Sequence, residues 1–62
     1  MTKTQALKLK PGDKARVKGT GAVFIVDEIQ LWPTGGVVEI RGRVNGKTPE
    51  TLIHFDVRSE DS

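Results

Sequence analysis

The stretch KPGDKARVKGTGAVFIVDEIQL, Lys10 to Leu31, holds two strand-like runs separated by a glycine turn. Its first run, KARVK, alternates strictly. Ala15 and Val17 therefore face one side of a strand while Lys14, Arg16 and Lys18 face the other. Pro11-Gly12-Asp13 in front of it is a turn signal, because proline presets its φ, glycine accepts a positive φ and the aspartate can bond nearby amides. Gly19-Thr20-Gly21 behind it is also a turn. A phosphate-cradling loop would have to open a helix, and a β-branched run follows instead. In that second run, Ala22 to Leu31, Phe24 and Val26 share one parity and Ile29 and Leu31 the other. One extra residue near Asp27-Glu28 removes the conflict: a β-bulge there turns all four inward and bends the strand sharply.

Working outward, Trp32-Pro33-Thr34-Gly35-Gly36 reads as the next turn. Val37 to Val44 alternates again, with Val38, Ile40, Gly42 and Val44 inward and Val37, Glu39, Arg41 and Arg43 outward. A glycine on the inward face, Gly42, implies close approach of another backbone or a tight bend. Asn45-Gly46 signals a hairpin, with Lys47 to Glu50 lengthening the loop. Thr51 to Phe55 follows as a strand with Ile53 and Phe55 inward and His54 outward, and the chain ends through Asp56 and Val57 in a polar tail. Residues 1–9 show no periodicity and are expected as a flexible arm, with Leu7 and Leu9 laid along the barrel edge. Short strands with Gly/Pro turns and no helical period define an all-β chain. The order predicts a small SH3-like antiparallel barrel of four to five strands over 10–58, between the arm and a tail at 59–62.

Sixty-two residues make one domain with a small core. The chain has no cysteine and one histidine, which excludes disulfide staples and the usual Cys/His zinc site, so stability must come from packing or from self-assembly. No run has the length of a signal peptide or an apolar membrane span, and a cytoplasmic protein with no membrane contact is expected. The net charge of +2 is unevenly distributed. Residues 1–26 carry six basic residues against Asp13, a net +5, and the rest carries four basic residues against seven acidic ones, a net −3.

PGDKARVKGTGAVFIVDEI resembles the opening of small bacterial SH3-like domains, above all the YodC-like family with its GD-hydrophobic-Lys-Ser-Gly-Gly pattern, and more distantly the KOW-type domains of translation and transcription factors. The ending LIHFDVRSED is similar to the strand, turn and acidic close of the first group. The middle departs from it: Glu39-Ile40-Arg41 stands where a Cys-x-Trp segment is frequent. These are turn and core features, so the resemblance implies a fold rather than a ligand. The opening also looks like that of the plasmid-type dihydrofolate reductases, tetramers that catalyse in a shared pore. Thr51-Leu52-Ile53-His54 replaces their Val-Gln-Ile-Tyr pore lining, so the resemblance does not carry the activity.

No nucleophile, base and orienter come together at a favourable spacing, and a non-enzymatic protein without cofactor is expected. Asp27, Glu28 and Glu39 fall short of the oxygen cage that a hard cation needs, and read as partners of Arg41 and Arg43. Two binding surfaces remain. Leu31, Trp32, Pro33 and Val37 form an apolar patch suited to a protein partner or to self-assembly into a homo-oligomer. Lys14, Arg16 and Lys18, with Trp32 as a base-stacking platform, would make a weak nucleic-acid surface. Trp32 can also cap an open barrel end. With no tyrosine, SH3-type binding of proline-rich peptides has no aromatic row to use.

Overall fold

In the computed structural model, which describes residues 1–60, α1 (Lys3–Leu7) precedes five strands. These are β1 (Lys14–Val17), β2 (Val23–Trp32), β3 (Val37–Val44), β4 (Thr48–Ile53) and β5 (Val57–Ser59), with a 3-10 turn at His54–Asp56 before the last. All neighbours are antiparallel in one sheet of order β4-β3-β2-β1-β5, a small all-β barrel-like fold. The core contains Ala15, Phe24, Val26, Val38, Ile40 and Val57, with Ala6 of α1 among them.

The bulge falls where the parity conflict requires it. Val26 pairs with Gly42 and Glu28 with Arg41, so Asp27 is the extra residue on β2. Beyond it Ile29 is back on the core face opposite Ile40. Gly42 is the close approach: a Cβ there would run into the Ile25 carbonyl oxygen and come within 2.8–2.9 Å of the Phe24 ring. The turns at Gly12 (φ 93°) and Gly21 (φ 74°) occupy the left-handed region that favours glycine.

Three expectations are corrected. The segment 1–9 is not a loose arm, because Thr2 and Gln5 form a capping box. The Gln5 amide donates to Thr2 Oγ1 at 3.2 Å and the Thr2 amide to Gln5 Oε1 at 3.0 Å. The resulting turn and a half of helix lays Ala6 against the core, where Met1 and Leu9 also pack, while Leu7 stays exposed. Leu31 is 50% exposed: it lies opposite buried Val38 but past the end of the covered core. The last strand is read one residue out of phase. β4 begins at Thr48, so Leu52 faces inward opposite Ile40, Ile53 and Phe55 are exposed and His54 is buried.

The burial of His54 has a backbone cause. Neighbouring antiparallel strands take alternate residues of the strand between them. On β3 the N–H groups of Val38, Ile40, Gly42 and Val44 face β4. Leu52, Glu50 and Thr48 lie opposite the last three. Val38 would be left over where the chain swings into the 3-10 turn, and there His54 Nδ1 accepts its N–H at 3.1 Å. Nδ1 is thus the accepting nitrogen of the ring. The Phe55 ring leans against it at 4.1 Å.

Two stability changes follow. Gly42→Ala should destabilise by about 3 kcal/mol or prevent folding, since the obstruction is backbone that cannot move aside. His54→Leu keeps apolar volume but orphans the Val38 N–H. It should cost roughly 1–3 kcal/mol in urea unfolding, and an unchanged midpoint would show that this bond contributes nothing.

Candidate functional site

Residues opposite one another in an antiparallel pair share a face. On the outer face of β2, β3 and β4 the register gives three rows: Trp32 with Val37, Gln30 with Glu39 and Ile53, and Glu28 with Arg41 and Thr51. Side-chain bonds tie them together. The Glu39 carboxylate accepts the Trp32 indole N–H at 3.0 Å on Oε2 and the Arg41 Nε–H at 2.7 Å on Oε1. Arg41 also donates to Gln30 Oε1 at 3.1 Å and reaches Glu28 at 3.5 Å. Next to this group, Arg43 forks onto both oxygens of Asp27, the bulge residue, at 3.1 and 3.2 Å. The acidic residues are therefore partners of the two arginines, as their spacing suggests.

Trp32 is the last residue of β2 and not part of the turn. It stands on the outer face, 41% exposed, and is held from its polar end. Of the residues expected beside it, Val37 shares its face and is half-buried, Pro33 is exposed in the turn, and Leu31 faces the opposite side of the sheet. The structure adds Ile53, across Glu39 from β2, which alternation had assigned to the core. Only the correct phase of β4 could have found it.

The basic row lies elsewhere. Lys14 and Lys18 are exposed, and Arg16 is half-buried with its guanidinium donating to the Gly21 carbonyl at 3.0 Å. β5 places Arg58 opposite Arg16, a fourth cation that is distant in sequence. Trp32 does not join them. Lys14 pairs with Ile25, and Trp32 lies seven residues further along β2, roughly 20 Å of strand at ~3.3 Å per residue.

Among the described residues no ligand-sized cavity is formed, no group of three or more His, Asp or Glu is placed to hold a metal ion, and no helix is long and apolar enough to cross a membrane. Compared with protein-family models, curated proteins and solved structures, the chain finds no match.

Glu39 has an electrostatic signature. The Arg41 hydrogen bond holds its carboxyl below the ordinary value of 4.5. Partial desolvation opposes this, and the Trp32 N–H and the Arg41 charge add to it. A carboxyl depressed in the folded state stabilises the fold above its unfolded value, and that contribution is lost as pH falls through the folded value. The urea midpoint of the native chain should therefore exceed that of Glu39→Gln by a constant margin above pH 4.5. The margin should close below it, in step with a change in Trp32 emission. A margin independent of pH would remove Glu39 from this role.

Proposed function

We propose that the chain is a non-enzymatic, cytosolic binding module whose contact surface is the outer-face patch of Trp32, Val37 and Ile53, flanked by Pro33 and by Leu31 at the sheet margin. One observation carries this reading: the only tryptophan is exposed on a strand with its indole N–H bonded to Glu39, which is bonded in turn to Arg41. An aromatic restrained by a hydrogen bond before binding loses less freedom when a partner covers it, and tryptophan, with tyrosine and arginine, is enriched among the residues that dominate such contacts. The polar network around it supplies the rim that a protein interface uses. The partner is a protein with an apolar anchor for this patch.

A second reading, a weak nucleic-acid surface, is favoured by the cross-strand placement of Arg16 and Arg58 between Lys14 and Lys18. Without Trp32 within reach, it would read phosphates and not bases, so binding would be weak and strongly salt-dependent.

Trp32→Ala should leave the unfolding free energy within about 1 kcal/mol of native. It should weaken binding to the partner that the native chain retains by about 30-fold or more. Retention by both chains alike would refute the patch. Titration with single- and double-stranded DNA and RNA at low and moderate salt decides the second reading, which fails if no salt-sensitive binding is seen.

A further inference from the structure

We infer that the free edge of β4 pairs with the β4 edge of a second copy of this chain, antiparallel, about a two-fold axis at Thr51. The two edges of the sheet differ. On β1 and β5, Lys18 donates to the Asp56 carbonyl at 2.9 Å, so Arg58 is turned toward β1 and Val57 presents its backbone outward. The Val57 carbonyl is already taken by the α-ammonium of Met1, which also donates to the His54 carbonyl. On that edge the chain itself occupies the Val57 carbonyl.

At the other end, β4 has β3 as its one neighbour, and every residue but Leu52 is exposed. Since Thr48, Glu50 and Leu52 turn their backbone groups toward β3, those of Pro49, Thr51 and Ile53 point away from it. The outward inventory is short: N–H groups of Thr51 and Ile53, and carbonyls of Pro49, Thr51 and Ile53. Pro49 has no N–H to leave unmet, the condition under which proline is accepted in an edge strand.

Two antiparallel registers satisfy this set, about Leu52 and about Thr51, and only the second also sets Ile53 against Pro49. Centred on Thr51, the two Thr51 residues exchange both of their bonds, and each Ile53 N–H meets the partner's Pro49 carbonyl. Four bonds form, and every outward N–H of both edges finds an acceptor. On the outer face the same register sets each exposed Ile53 against the partner's Pro49, an apolar pair made twice. The weak point is on the inner side, where the two Glu50 residues meet diagonally at about 7–8 Å. So short an edge buries less than a standard interface, and the dimer is a weak, concentration-dependent one.

Ile53 belongs to this edge and to the Trp32 patch, but Thr51 lies on the edge and Trp32 on the patch, so each reading can fail alone. Sedimentation equilibrium should show the native chain moving from one chain mass toward two as it is concentrated to roughly 1 mM. Thr51→Pro removes the central N–H and should stay at one chain mass with its circular dichroism intact. Glu50→Gln should tighten association several-fold. Because the chain has no cysteine, Thr51→Cys gives a direct reading of register. Strands in a hydrogen-bonded pair hold Cα atoms about 5.5 Å apart, within disulfide reach. Thr51→Cys should therefore cross-link to a dimer many times faster than Lys47→Cys in the exposed hairpin loop. A strict monomer at the highest concentration, association undiminished in a folded Thr51→Pro, no tightening by Glu50→Gln, or equal cross-linking of the two cysteine variants would each overturn the pairing. If Thr51→Pro does not fold, the cysteine comparison decides alone.

Discussion

The close passage of β2 over Gly42 is the constraint on which the rest depends. Where β2 bends, the Ile25 carbonyl and the Phe24 ring occupy the space that any side chain at position 42 would need. Phe24 can then sit fully buried between β3 and the other core strands, and the bulge at Asp27 brings Ile29 back inward after the bend. A straight ten-residue strand would carry its second half away from the core. Bent at this point, β2 pairs with β1 through its first half and with β3 along nearly all its length, and one strand serves both halves of the barrel. Sequence and packing agree here: a residue with no side chain, placed on the inward parity, beside the one residue that pairs with nothing across the ladder.

The second constraint is backbone satisfaction at the barrel end. A strand that stops one residue before its neighbour leaves an N–H behind, and burying it unpaired costs about 1–3 kcal/mol. At Val38 a side chain takes the place of the missing backbone partner. That choice explains several features together. His54 must turn in, Phe55 consequently turns out and shields it, and the 3-10 turn sets Val57 into the core as β5 begins.

Local patterns made most of the barrel legible from sequence. The alternation over Val37–Val44, the turns at Gly12 and Gly21 and the bulge were all written in residues adjacent to the feature they determine. What sequence alone left hidden depended on distant partners. Alternation over Thr51–Phe55 fits either phase, and the phase is chosen by Val38, sixteen residues earlier. Lys47 to Glu50 reads as an extension of the hairpin loop, yet β4 begins at Thr48, and as an edge strand it accepts Pro49 without a ladder bond. Five residues of helix are too few to show a period, and only the Thr2–Gln5 spacing signalled it. In the candidate site Trp32 and Val37 were legible, but the tie to Glu39, the neighbourhood of Ile53 and the separation from the basic row all follow from register across strands.

The placement of Trp32 bears on what such a surface can do. A tryptophan in a glycine-flanked turn would sample many orientations, and a partner would have to order it. On β2 its indole is restrained through a carboxylate that is itself held by a guanidinium, and that guanidinium reaches Gln30 and Glu28 on the strand that carries the tryptophan. The bonds close into a loop over two strands. Each exposed ion pair on its own contributes little to stability. Joined to the ring, they restrict its orientation, a contribution that matters to binding more than to folding. The outer face thus keeps its charges paired among themselves around one apolar ring, and a partner can cover that ring without stranding an unpaired charge beneath it.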